Sequence, residues 1–341
     1  MKPYKKLGLI LFLVCLAGKA FALEIEFISN GMGGIDGGLL GSFKTEIEGI
    51  HDNPQNFIRG FADASVFASH GATQRAYGDY NIFAFTIGPM IGFRLPGSLF
   101  NAMGDIQDTA DRLEREHDLK FGVNIQAINA EVGINISFLV DRLYLGLRFG
   151  YFNLTNDLIE NINFKILHTG MVAHYRLLKG IDLGVFKWRG ITAETGFLYQ
   201  KTTLGYTYVL DGSDSSGFTA KDPTLNFDMQ VTTYTIPLEV NTSILLIKFL
   251  NLNVGLGTDF AFGKNDMSIN LHSPIYDNSD TYQGYLRVKG GGKMSPTILN
   301  PKVMANLGFQ FGPVLLDVPI TYYFTNSGSG LSAGVTLGIV F

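Results

Sequence analysis

The 341-residue sequence contains a single cysteine, Cys15, and a single tryptophan, Trp188. One cysteine excludes a fold stapled by internal disulfides. Charge is scarce, at 16% of residues against the roughly 25% of ordinary soluble domains, while 46% are hydrophobic. Such a chain is too apolar to stay disordered. A cationic excess is missing as well: 26 Lys and Arg face 30 Asp and Glu, a formal net charge of −4, which argues against nucleic acid as a partner. Apolar runs approaching the roughly 18 residues of a membrane helix are absent except at the extreme N-terminus. Against these absences stand 41 glycines and an aromatic content of 13%. A chain of this kind, with no internal membrane helix, must cover its hydrophobic side chains in another way.

The N-terminus reads as an export signal. Lys2, Lys5 and Lys6 precede the apolar stretch Leu7 to Gly18, and Ala20-Phe21-Ala22 supplies the small-x-small pattern of a cleavage site. Cleavage is expected after Ala22, which removes Cys15. Lipidation of Cys15 is disfavoured because Phe12-Leu13-Val14 lacks small residues, and the apolar core is short for an uncleaved anchor.

The remainder alternates with period two. Leu331, Ala333, Val335, Leu337, Ile339 and Phe341 share one strand face, and Ser332, Gly334, Thr336, Gly338 and Val340 the other. Val303, Ala305, Leu307, Phe309 and Phe311 alternate with Lys302, Met304, Asn306, Gly308 and Gln310 in the same way, as do Leu143 to Tyr151 and Ala130 to Phe138. A β-sandwich also alternates, but its outer face meets water and is rich in Lys, Glu and Thr. Here one face is bulky and aromatic and the other is Gly, Asn and Ser with single charges. A barrel in lipid requires that combination.

Membrane barrels place short turns on one side and longer loops on the other. With the C-terminus set on the periplasmic side, strands are expected at 331–341, 314–326, 300–312, 251–263, 226–247, 187–210, 162–178, 142–154, 120–139 and 80–93. The fold class is therefore all-β: a transmembrane antiparallel up-and-down barrel of about ten strands. Twelve strands stay open if part of 23–79, beginning at Leu23, Ile25 and Phe27, joins the wall. Outer loops are expected at 94–119, 154–161, 211–225 and 264–299. The last of these leaves room for a hairpin, because 281–289 reads as a strand. Residues 98–116 are expected to form a short helix in the first outer loop, with Leu99, Met103, Ile106, Ala110 and Leu113 on one face and Asp105, Asp108, Asp111 and Glu114 on the other.

Three regions follow: a signal at 1–22, an N-terminal segment at 23–79 that is either a periplasmic lead-in or a lumen plug, and a barrel at 80–341. The glycine run within Asn30 to Gly38 fails the G-x-G-x-x-G pattern at Asp36, so no nucleotide site is read there. Phe57, Phe61, Val66 and Phe67 are an odd set to leave in water, which favours burial.

The six histidines show no H-E-x-x-H spacing, and no G-x-S-x-G is present. No catalytic residue, metal ligand or cofactor is expected. Charged residues on the non-oily face are placed in the lumen, because Arg or Lys facing hydrocarbon costs about 2–4 kcal/mol at the midplane. These are Arg94, Glu131, Arg148, Lys165, Glu194, Asp228, Glu239, Asp259, Lys302 and Asp317. Mixed signs either pair across a narrow bore and fill it or line a small aqueous channel.

The signal, the alternating last strand and the terminal Phe341 together resemble integral outer-membrane β-barrel proteins of double-membraned bacteria. The resemblance implies an outer-membrane location, a lipid bilayer around the wall, and recognition of the strand ending in Phe341 by the barrel-assembly machinery. Gly334 and Thr336 depart from the usual pattern of that strand. The segment before the barrel, with Asn53-Pro54, is similar to the plugs of fatty-acid transporters. Three functions fit: a porin-like channel for small solutes, a plugged transporter of hydrophobic molecules, and a structural or surface-binding barrel whose loops 211–225 and 264–299 meet external partners.

Overall fold

The computed structural model describes residues 22–29, 54–70, 82–95, 122–155, 161–209, 213–215, 218–277, 279–325 and 328–341. The elements in chain order are β1 (Ala22–Ser29), α1 (Pro54–Ala68), β2 (Phe83–Leu95), β3 (Gly122–Asn135), β4 (Leu143–Leu154), β5 (Ile162–Leu178), β6 (Ile181–Asp182), β7 (Phe186–Val209), β8 (Ser213–Ser215) and β9 (Phe218–Ala220). They continue as β10 (Thr224–Leu246), β11 (Leu250–Asp277), β12 (Tyr282–Met294), β13 (Leu299–Phe311), β14 (Val314–Thr325), β15 (Gly328–Gly334) and β16 (Thr336–Val340).

The strands close into a ring. The order β2-β3-β4-β5-β7-β10-β11-β13-β14 returns to β2 through β15 and β16, which act as one strand interrupted at Val335. Every neighbouring pair is antiparallel, and the wall has ten strands. These are the ten read from the alternation. Closure satisfies the edges of the ten wall strands, which a bilayer demands because no water is there to do so.

Three expectations change. The stretch 264–299 is the hairpin that its strand-like 281–289 suggested, and it is longer and continuous with the wall: β11 continues to Asp277 and returns as β12. β1 forms from Leu23, Ile25 and Phe27 and their neighbours, but it pairs with β12 outside the ring, so the wall does not reach twelve. Within 211–225, β9 pairs with the end of β11. The expected helix at 98–116 lies outside the described residues, as do the predicted signal through residue 21 and most of the first outer loop. The described helix is α1.

The two faces of the wall meet different surroundings. Ile244, Leu252, Leu307 and Val318 lie side by side across four strands on the outside. One residue along, Asn251, Asn253, Asn306 and Asp317 point inward and are buried. The apolar band ends at an in-register row, Tyr199–Tyr234–Phe262. One outward step further, the row is Lys201–Thr232–Lys264. Aromatic rings mark such an interface, and polar outward side chains beyond it belong in water. At the opposite end, Phe249 stacks on Phe311 and Phe83 on Phe341. From Phe249 to Phe262, β11 has about the length a tilted strand needs to cross the hydrocarbon. Its remainder, with β12 and the distal parts of β7 and β10, projects beyond the band.

Leu256 tests the outward assignment. It is 64% exposed and sits between Val240 and Val303. Leu256→Arg is expected to lower stability by about 2–4 kcal/mol, read as a reduced urea midpoint for refolding into lipid vesicles. An unchanged midpoint would mean that this face does not meet lipid.

Candidate functional site

The interior is occupied by a helix and by paired charges. α1 begins with Pro54, a residue pre-shaped for a first helical position. From Ile58 to His70 its side chains are buried or nearly so on every side, many of them small: Ala62, Ala64, Ser65, Ala68 and Ser69. Small side chains let the helix lie close to the wall, and the wall answers with glycine. A Cβ on Gly92 would sit 2.7 Å from the backbone nitrogen of Ala68 and closer still to the carbonyl oxygen of Ala64. Gly330 makes the same room for the ring of Phe67, which stacks on Tyr323 with centroids 4.0 Å apart.

Polar contacts set the depth and rotation of the helix. The Asp63 carboxylate accepts the Thr297 backbone N–H at 2.7 Å and the Thr297 hydroxyl at 2.9 Å, and lies 3.5 Å from Nε of Arg94. Arg94 also donates to the Thr325 hydroxyl. Ser65 and Thr233 share a hydrogen bond of 3.2 Å. Nearer the loop end, Ile58 joins Leu225, Met229, Val231, Met267 and Ile269 in an apolar cluster beneath the projecting sheet.

Below the helix lies a network of charges. His70, just past the end of α1, places Nε2 2.7 Å from Asp259 Oδ2 and 3.0 Å from Lys302 Nζ. Lys302 donates to Glu239 and Asp259, each at 2.5 Å. Arg148 donates from Nε to Glu131 at 2.5 Å and from Nη2 to Glu194 at 3.2 Å, and His174 Nδ1 lies 3.4 Å from Glu194. The register explains the need for both cations: Glu194 and Glu239 stand directly opposite each other on β7 and β10. Like charges so placed repel, and Arg148 on one side and Lys302 on the other offset this. His70, Glu239 and Asp259 offer ligand atoms within 4.8 Å of one another. The Lys302 ammonium already sits among them, in the position a metal ion would take.

Of the ten residues placed in the lumen by sequence, Arg94, Glu131, Arg148, Glu194, Glu239, Asp259, Lys302 and Asp317 are inward and buried. Lys165 and Asp228 are not: both are exposed, on the outward face of their strands. Lys165 lies over the ring of Tyr151, 5.7 Å from its centroid. Both stand beyond the Tyr199–Tyr234–Phe262 row, across from Thr203 and Gly205 respectively. The outward face there carries polar residues, so the cost of facing hydrocarbon does not apply. The alternation missed Asp63, Ser65 and His70, whose partners lie on distant strands. The available signals were the apolar set Phe57, Phe61, Val66 and Phe67, which pointed to burial, and the helical spacing of Phe57, Ile58, Phe61 and Ala62 after Pro54.

A closed antiparallel ring, oily outside and polar within, defines the class of transmembrane β-barrels. Within it, the chain belongs to the Lsa36-like family, whose model matches residues 39–341. No curated protein matches the sequence. Among solved structures, the translocator domain of the autotransporter NalP from Neisseria meningitidis is similar at 12% identity and a TM-score of 0.35, over 78% of this chain and 91% of that one. Ail, the attachment invasion locus protein of Yersinia pestis, is similar at 8% identity and a TM-score of 0.27, over 77% and 100%. A Pseudomonas aeruginosa FadL homologue is similar at 9% identity and a TM-score of 0.24, over 84% and 98%.

Proposed function

We propose that the protein is an outer-membrane barrel closed from within and that it serves as an anchored surface platform. In this reading residues 1–22 are the export signal, cut after Ala22, and residues 23–79 include the plug. The strand ending in Phe341 is presented to the barrel-assembly machinery, the short turns face the periplasm, and the sheet that β7, β10, β11 and β12 project beyond the lipid meets external partners. One observation carries the reading: the bore holds α1, buried or nearly so from Ile58 to His70, and beneath it eight inward charges each 3% exposed or less. A porin-like channel for small solutes needs a continuous water path past them.

A second reading, a plugged transporter, is favoured by the character of the helix anchors. Asp63, Ser65 and His70 hold α1 through hydrogen bonds that water can replace, while release of the plug would also expose the buried Ile58, Val66 and Phe67. Single-channel recording of the purified protein in planar bilayers separates the readings. A platform is silent. A gated transporter gives intermittent openings. A steady ohmic current from the intact protein would support the porin-like channel and reject closure.

A further inference from the structure

The path of the chain through the barrel has a defined direction. Past the proposed cleavage at Ala22, β1 runs antiparallel to β12 from Leu23 opposite Gly290 to Ser29 opposite Gly284. β12 in turn pairs with β11 from Asn265 onward, and all of that stretch lies beyond the aromatic row at Phe262. β1 is therefore part of the sheet that projects from the loop end. α1 starts under the same sheet, with Ile58 against Met229 and Met267. Asp63 is tied to Thr297, which lies between β12 and β13 at the loop end. Phe67 reaches Tyr323, and His70 reaches Asp259 and Lys302 within the wall.

The chain next meets described structure at the other end of the barrel. Ile82 donates its backbone N–H to the carbonyl of Phe341 at 2.7 Å, and its own carbonyl accepts from Asn135 at 2.9 Å. Both partners lie at the turn end, where β3 finishes and the chain terminates. The backbone thus enters the lumen at the loop end and is at the turn end by Ile82.

From this path we infer that the segment preceding β2 is threaded through the barrel, so that β1 is delivered to the loop face and displayed there. It is not a lead-in held on the turn side. β1 is then the edge strand of the projecting surface and extends the platform. The inference rests on the proposed reading for which end faces the cell exterior, but the path itself does not depend on it.

Antibody access to an epitope tests the path. One epitope is inserted between Gly37 and Gly38, a second between Ser279 and Asp280 at the loop end, and a third between Leu183 and Gly184 at the turn end. Heat-modifiable gel migration confirms folding of each, and an insertion between Gly33 and Gly34 replaces the first if it does not fold. The expected result is that the N-terminal epitope is stained on intact cells as strongly as the one at Ser279, while the epitope at Leu183 is stained only after permeabilisation. If the N-terminal epitope instead behaves like that at Leu183, threading is wrong. If both reference epitopes exchange behaviour and the N-terminal one still follows Ser279, the orientation is inverted and threading stands. Channel recordings on the same proteins report closure separately, so a silent barrel with its N-terminal epitope on the turn side would overturn this inference alone.

Discussion

Gly92→Val is expected to turn a silent barrel into a conducting one. Gly92 lies on the inward face of β2, and the atoms its Cβ would meet are the backbone of α1, the Ala64 carbonyl oxygen and the Ala68 nitrogen. A flexible side chain could swing aside, but a helix backbone cannot, so α1 must move as a unit. Overpacking of this sort costs about 1–3 kcal/mol where the surroundings can adjust, and here the adjustment is loss of docking. The strand itself gains, because valine suits a pleated strand better than glycine by about 0.5–1 kcal/mol. The wall should therefore fold and migrate normally on gels while single-channel steps appear. Arg59, the one basic residue within α1, should also become a trypsin site in the folded protein. A variant that folds, stays silent and resists cleavage would mean that the helix does not close the lumen.

Arg148→Ala is expected to give the largest loss of stability. The side chain it removes bonds two buried carboxylates, Glu131 and Glu194, and Glu194 already faces Glu239 across the ladder. Truncating one member of a buried pair leaves uncompensated charge and typically costs about 3–5 kcal/mol. The urea midpoint in detergent should fall accordingly. Arg148→Met combined with Glu131→Gln and Glu194→Gln should recover most of the loss, because neutral side chains leave no unpaired charge. An Arg148→Ala midpoint equal to that of the parent would mean that the interior is wet enough to solvate both carboxylates, and the filled-lumen account would fall with it.

The wall was legible because its two faces meet different media. Leu252 and Leu307 against Asn253 and Asn306 form a pattern that only a lipid exterior and a polar interior explain, and strand limits followed from it. The charges within the band turn inward and are buried, whereas Lys165 and Asp228 stand above the aromatic row, where water replaces lipid. α1 was illegible for a different reason. Phe57, Ile58, Phe61 and Ala62 do fall at helical spacing after Pro54, but the other side mixes Asp63 with Val66 and Phe67, and a helix enclosed on all sides, with Ile58, Ala62, Asp63, Ser65 and Phe67 all buried, has no solvated face to mark it off. The site around Lys302 was invisible as a set because β10, β11, β13 and the turn after α1 each supply one member. Only strand register brings these together.

The most direct measurement is a disulfide between helix and wall. Ser65 on α1 and Thr233 on β10 face each other with their hydroxyl oxygens 3.2 Å apart, and both already carry a Cβ, so cysteines there add no atom that would push the helix away and leave their sulfurs a short approach to the bond length of about 2.0 Å. Cys15, the sequence's only cysteine, is replaced by serine to leave a clean background. Ser65→Cys with Thr233→Cys should oxidise in the folded protein, change its mobility on a non-reducing gel and leave no thiol for a maleimide. Two free, reactive thiols in a correctly folded barrel would show that α1 does not lie against β10 in the lumen.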